Sequence, residues 1–299
     1  MYLDYFQLTA EPFSIAPNPD MLFPSARHQE AIAYLKYGLR GTGGFVMLTG
    51  EVGTGKTMVS RAVLADVPDN FKVAYLLNPT LNSVQLLQSV CEGFGLNVAQ
   101  KSEHKPLSDA LQRFLIDQDN QGNACLLVID EAQHLSAEAL EQLRLFTNIE
   151  TNEKKLLQII LIGQPELQEK LNTRELRQLA QRITARYHLL PLQLEETYYY
   201  INHRLQTVGS TRPLFEKSAM QLIYKAAKGT PRLINLIADR ALMGTFATGQ
   251  QSVNKTTAKQ AISEVLPNQV IVTQSKRTWL WAFGAALISI TGLTLWFVL

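Results

Sequence analysis

FVMLTGEVGTGKTM, residues 45–58, sets a short apolar run directly before a glycine turn that closes on Lys56-Thr57. An apolar run of this length, bounded by glycine, reads as a buried strand. The eight residues Gly50-Glu51-Val52-Gly53-Thr54-Gly55-Lys56-Thr57 match G-x(4)-G-K-[ST], and a preceding strand is the context that pattern needs. Glycines let peptide N–H groups turn inward around phosphates, and the helix that follows presents its N-terminus to the anion. In this reading Gly50 to Thr57, with Met58, bind a nucleotide; Lys56 reaches the β- and γ-phosphates and Thr57 holds Mg²⁺ through its hydroxyl. A glycine turn that merely reverses the chain has no need of Lys-Thr at its end.

A second apolar strand ends in paired acids, Leu126-Leu-Val-Ile-Asp130-Glu131. Asp130 would join the nucleotide site by completing the Mg²⁺ shell, largely through water, while Glu131 would orient and polarise an attacking water. Two acids after a strand are ordinarily solvated loop residues or helix caps. The glycine loop upstream, with a strand and helix between, favours the catalytic reading. After the run Leu157–Ile162 comes Gly163-Gln164-Pro165-Glu166, and Gln164 is placed to contact the γ-phosphate or the water. The alternative is an amide satisfying the turn before a helix.

Arginines supply the remaining charge. Arg177, Arg182 and Arg186 lie between a helix and the last core strand, and Arg182 and Arg186 are spaced to share one helical face. A cation from a neighbouring subunit stabilises the charge of phosphoryl transfer, although each of these could equally be part of a solvated basic surface. Arg232, in Gly229-Thr230-Pro231-Arg232, falls in the first turn of a helix, where a cation is disfavoured by the helix dipole and an external anion would compensate.

Around these motifs, Phe45–Thr49, Val73–Leu77, Cys125–Ile129, Leu157–Ile162 and a fifth run, Tyr187–Leu192, alternate with helical stretches. Such alternation predicts an α/β fold: a five-stranded parallel sheet with helices on both faces, in three layers. Residues 1–29, rich in Pro and aromatics, read as an extended segment packing onto the core, which takes up 30–194. Residues 195–265 read as helices only, near 195–208, 215–228, 231–247 and 255–265, forming a second, all-helical unit, and 266–277 as a tether. Ser25 is placed to cap a helix starting near Ala26.

Residues 278–299 form 22 consecutive positions without a charged side chain. As a helix they would span roughly 33 Å, enough to cross a bilayer core. Trp279 and Trp281 flank one end and Trp296 the other, while Lys276 and Arg277 precede the run and place the ATPase region in the cytoplasm. With 28 Lys+Arg against 26 Asp+Glu, the net charge of +2 supplies no basic field for wrapping nucleic acid. Cys91 and Cys125 have no partner at ligand spacing and read as buried apolar residues.

Taken together, these residues make the chain resemble the AAA+ ATPases of the general secretion pathway protein A group, and within it the MSHA (type IV pilus) biogenesis ATPases. The resemblance rests on Tyr5-Phe6-x-Leu8, Glu11-Pro12-Phe13-Ser14, His28-Gln29-Glu30, Gly50–Thr57, Asp130-Glu131-Ala132-Gln133-His134-Leu135, Gly163-Gln164-Pro165-Glu166-Leu167 and Gly229-Thr230-Pro231-Arg232, over residues 1–265. It implies ATP and Mg²⁺ as ligands, hydrolysis between core and lid, Arg232 as a second sensor, and an arginine finger in trans from Arg182 or Arg186. It also implies that the segment 1–29 packs near the nucleotide, with Phe13, Ile15 and the His28-Gln29 pair lining an adenine pocket. The partners it implies are further copies of the chain and inner-membrane pilus or secretion assembly proteins, with a single-pass anchor in a bacterial inner membrane. Secretion-pathway members often continue past that anchor into a peptidoglycan-binding module, and a sequence stopping at Leu299 is closer to the pilus members. Transposition regulators share the acidic box, so a DNA-associated ATPase is the competing expectation, and an ATP-dependent oligomeric scaffold a third.

Overall fold

The computed structural model describes residues 2–39, 44–77, 81–99, 103–151 and 154–267. The apolar run 278–299 and most of the tether therefore lie outside the described residues, among which no helix is long and apolar enough to cross a membrane.

Five strands, β1 (Gly44–Gly50), β2 (Phe71–Leu76), β3 (Ala124–Ile129), β4 (Leu157–Gly163) and β5 (Ile183–Leu189), form one sheet in the order β2-β3-β4-β1-β5. Every pairing is parallel. Side chains alternate across a strand, so the near-continuous apolar runs feed two cores. Phe45, Met47, Leu127, Ile129, Ile159 and Leu161 face one of them. Val46, Leu48, Leu126, Val128, Ile160 and Ile162 face the other. The first core is covered by helices α4 (Ser83–Gly93), α5 (His104–Asn120), α6 (Ala137–Phe146), α7 (Pro165–Leu171) and the short α8 (Arg177–Gln181). The second is covered by α2 (Ala26–Leu39) and α3 (Lys56–Ala65), which contribute Ala31, Leu35, Val59 and Val63. Ser25 does cap α2, its Oγ accepting the His28 N–H at 3.3 Å.

Beyond the sheet the chain is helical: α9 (Leu194–Thr207), α10 (Lys217–Ala227), α11 (Pro231–Ala247) and α12 (Lys255–Val265). Each lies within two residues of its expected bounds at either end, because glycine, proline and apolar spacing punctuate this stretch clearly.

Two expectations are corrected. The N-terminal stretch is not simply extended: Tyr2–Phe6 forms a helical turn, α1, and Pro19–Met21 a 3-10 turn. It is also held by the C-terminal helices. The Tyr2 hydroxyl donates to Asp239 at 2.7 Å, and Phe13 meets Phe215 edge-on at 5.7 Å between centroids. Burying Phe6, Leu8 and Phe13 against those helices is favourable and outweighs the irregularity imposed by the prolines. The fifth strand starts earlier than expected, at Ile183, which pairs with Phe45. β-branched Ile183 and Thr184 favour extended backbone. As a result Arg182 precedes the strand and Arg186 sits within it, so the pair shares no helical face.

Candidate active site

Strand order brings the motifs together. β4 lies between β3 and β1, so the turns leaving the carboxyl ends of all three meet at one edge of the sheet, the usual ligand position in an open parallel sheet. The glycine loop leaves β1, the paired acids leave β3, and Gln164 leaves β4 between them.

Within the loop the Thr54 hydroxyl donates to the Glu51 carbonyl at 2.8 Å, and Lys56 Nζ donates to the carbonyls of Gly50 and Glu51 at 2.8 and 3.0 Å. Burial pulls the Lys56 ammonium below its ordinary pKa, against the opposing pull of Glu131, Asp130, Glu51 and Glu166. Gly55 has φ +103, and a methyl there would stand 2.8 Å from Nε2 of His28. Only glycine fits so close an approach in left-handed backbone. His28 is thus a buried residue packed against the loop, its Nδ1 2.7 Å from Ser25 Oγ, and does not line the cleft.

The Thr57 hydroxyl donates to Asp130 Oδ2 at 3.1 Å, and the Tyr75 hydroxyl donates to the same oxygen at 3.1 Å. Asp130 Oδ1 accepts the Glu131 N–H at 2.9 Å. Burial, with the Asp130 carboxylate beside it, pushes the Tyr75 phenol up to about 12, so it serves as a neutral donor.

Glu131 stands at φ +55, a region that non-glycine residues occupy sparingly. Its Oε2 accepts from Gln133 Nε2 at 2.5 Å and from Gln164 Nε2 at 3.2 Å. Burial alone would raise its pKa. The two amides, with Lys56 and His134 nearby, instead hold the carboxyl below the ordinary glutamate value.

Over the loop lies a cleft of about 370 Å³, floored by Gly53, Lys56, Thr57 and Met58 and walled by Ser14 to Pro17 and by the helices after the sheet. Arg232 lines it and is anchored through its own N–H, which donates to the Gly53 carbonyl at 3.2 Å. Tyr200, Arg204 and Asn235 line it too, though no motif marks them. Arg204 is buried and donates to the carbonyls of Pro12 and Ser14 at 2.5 and 2.9 Å, while the Tyr200 hydroxyl donates to Asn235 at 2.8 Å. Tyr200 and Arg204 stand at i and i+4 on the buried face of α9. That cation at a core position was the available signal. Phe13, expected at this cleft, is instead buried against Phe215, and Ile15 alone of the expected apolar pair reaches the wall.

The turn that delivers Arg232 allows no side chain at Gly229. This residue has φ +77, its carbonyl accepts the Leu192 N–H at 2.9 Å, and a methyl would fall 1.9 Å from the Leu192 carbonyl oxygen. Gly229→Ala is expected to destabilise the fold by roughly 2 kcal/mol or more. A denaturant midpoint equal to the parent's would show the turn to be more tolerant than its geometry allows.

The structure does not bring Arg182 and Arg186 to this cleft. Arg182 Nη1 donates to the Arg144 carbonyl, Thr147 Oγ1 and Asn148 Oδ1 at 2.9, 2.9 and 2.7 Å. Arg186 donates to the Ala180 carbonyl at 2.5 Å and, with Arg174 and Arg177, borders a separate cavity of about 450 Å³. None of the glycine-loop residues lines that cavity.

Comparison with known proteins agrees with this geometry. Residues 39–171 match the family model for an AAA domain. General secretion pathway protein A of Aeromonas hydrophila is 51% identical over 253 residues, covering 85% of this chain but only 46% of that protein, so the chain spans about half the length of this relative. ATP-dependent target DNA activator B of Escherichia phage Mu is 25% identical, over 75% of this chain and 67% of its own. The Aeropyrum pernix ORC2 protein, solved in ADPNP-ADP complexes, superposes with a TM-score of 0.66 at 21% identity, covering 85% of this chain and 71% of that one, which speaks for the fold alone. The folded loop and these matches converge on a P-loop fold carrying an AAA domain, similar to general secretion pathway protein A over most of the chain.

Proposed function

We propose that the chain hydrolyses ATP at this cleft to assemble or remodel a type IV pilus or type II secretion machine, of the MSHA kind, while anchored to a bacterial inner membrane by residues 278–299. The observation that carries the chemistry is the meeting of Lys56, Thr57, Asp130, Glu131 and Gln164 at one sheet edge. The 51% identity to a secretion-pathway protein and the apolar run support the setting.

Mg²⁺ fits the donors present. A hydroxyl and a carboxylate, Thr57 and Asp130, already face each other, and among the described residues no group of three or more His, Cys, Asp or Glu could cage a metal. Magnesium typically takes few protein ligands and keeps phosphate oxygens and water for the rest. When bound it would neutralise phosphate charge. The chain's own groups do the remainder. Backbone N–H groups of the loop receive the phosphates, and Lys56 leaves the two carbonyls it now bonds and turns to the γ-phosphate oxygens, which favour its charged form. Glu131 takes a proton from water as the water oxygen bonds to the γ-phosphorus and the bond to the β–γ bridging oxygen breaks. Gln164 reports on the γ-phosphate because it already touches Glu131. Arg232 covers the triphosphate from the lid side, and Arg182 or Arg186 acts on the nucleotide of a neighbouring copy.

The setting is tested by detergent co-purification of the full chain through an N-terminal tag. Pilus or secretion assembly proteins are expected in the eluate, and membrane association is expected to disappear when residues 278–299 are deleted. A second reading, a DNA-associated ATPase, is favoured by the similarity to the phage Mu target DNA activator. Bound DNA in the same eluate, with DNA-stimulated turnover falling steeply with salt, would replace the first reading by the second.

A further inference from the structure

Gln133 belongs to the acidic box, yet nothing in the hydrolysis scheme uses it. Its side-chain amide lies between the two groups that the scheme needs to communicate. Gln133 Nε2 donates to Glu131 Oε2 at 2.5 Å, while its Oε1 accepts the backbone N–H of Gln164 at 3.1 Å. These two bonds fix which end of the amide points where, because an N–H of Gln164 can meet only the oxygen and a carboxylate can meet only the NH₂. The backbone beneath is pinned as well. Lys170 Nζ donates to the carbonyls of Gln133 and Leu135, both at 2.7 Å. Space is closed around the oxygen, since a methyl on Gly163 would stand 2.9 Å from it.

From this geometry we infer that Gln133 is a positioning residue that couples Glu131 to the first turn of α7, so that a displacement of Gln164 by the γ-phosphate is transmitted to the carboxylate that handles water. The inference rests on the proposed role of Glu131. The Gln133 amide and that of Gln164 converge on one carboxylate oxygen, so Oε2 is held from two sides. Gln164 carries both parts of the link, its backbone N–H on Gln133 and its side chain on Glu131. A shift at the strand end therefore cannot occur without loosening at least one bond to the carboxylate.

The groups facing Glu131 are the amides of Gln133 and Gln164, the Lys56 ammonium, and His134, with the Asp130 carboxylate one residue away. Gln133→Ala should lower kcat by roughly tenfold with the Kd for ATP unchanged, a split between turnover and binding that a merely structural role would not give. It should also speed hydrogen exchange at the Gln164 peptide, measured on the full chain in detergent, because that N–H loses its acceptor. Gln133→Glu separates the two halves of the link. Its carboxylate can still accept the Gln164 N–H, so exchange stays slow, but it can no longer donate to Glu131, so kcat falls at least as far as in Gln133→Ala.

A kcat equal to the parent's in both variants, with Gln164 exchange unchanged in Gln133→Ala, would overturn the inference. A parent chain without turnover would instead strike the hydrolysis reading, and exchange at Gln164 would still decide whether Gln133 holds that segment.

Discussion

Replacing Glu131 with glutamine is expected to lower ATP turnover by roughly 100- to 10,000-fold while leaving ATP binding intact, which is the range that a general base contributes. The substitution keeps the size of the side chain, and its amide oxygen can still accept from Gln133 and Gln164, so the folded arrangement survives. What is lost is the charge and the capacity to take a proton from water. Single-turnover measurement with radiolabelled ATP reads the chemical step, and equilibrium binding reads affinity. If turnover is equally low in the parent and in Glu131→Gln while ATP still drives self-association, the chain is a nucleotide-dependent scaffold and Glu131 has no chemical role.

Lys56→Ala is the second large effect. The parent side chain is buried and satisfied by the Gly50 and Glu51 carbonyls, a contact that keeps it poised over the loop. Truncation removes the cation meant for the γ-phosphate and leaves both carbonyls without that donor. Turnover should fall by roughly 100- to 1,000-fold, the usual cost of deleting one positioned donor at developing negative charge, and ATP affinity should fall with it. This pattern differs from that of Glu131→Gln, where affinity holds. Hydrolysis unaffected by Lys56→Ala would remove the site from this loop altogether.

What the sequence made legible follows from how local each signal is. The glycine loop, the paired acids and the three inner strands are written in contiguous residues, and each carries its own physical reason: phosphate-binding amides, metal-binding oxygens, side chains buried on both faces. Gln164 was legible at this sheet edge because it directly follows a strand. Gln133, Tyr200, Arg204 and Asn235 were missed as site residues because their roles arise only when β4 enters between β1 and β3, or when α9 and α11 fold over the loop. Arg182 and Arg186 misled through spacing: an i, i+4 pair fits a helix, yet the residues between them, Ile183, Thr184 and Ala185, supply a strand that pairs with β1. The N-terminal stretch misled through composition. Its prolines break long elements without preventing a single turn, and its aromatic residues are bound by helices far along the chain.

The claim on which the rest stands is that main-chain N–H groups of the glycine turn hold a triphosphate, with a cation shared between Thr57 and Asp130. A crystal structure of the Glu131→Gln chain with ATP and Mg²⁺ tests it directly. The account predicts β- and γ-phosphate oxygens against the N–H groups from Gly53 to Thr57, Lys56 Nζ turned onto the γ-phosphate, and the cation touching Thr57 Oγ1. A nucleotide seated in the cavity bordered by Arg174, Arg177 and Arg186, with the glycine turn left empty, would contradict it.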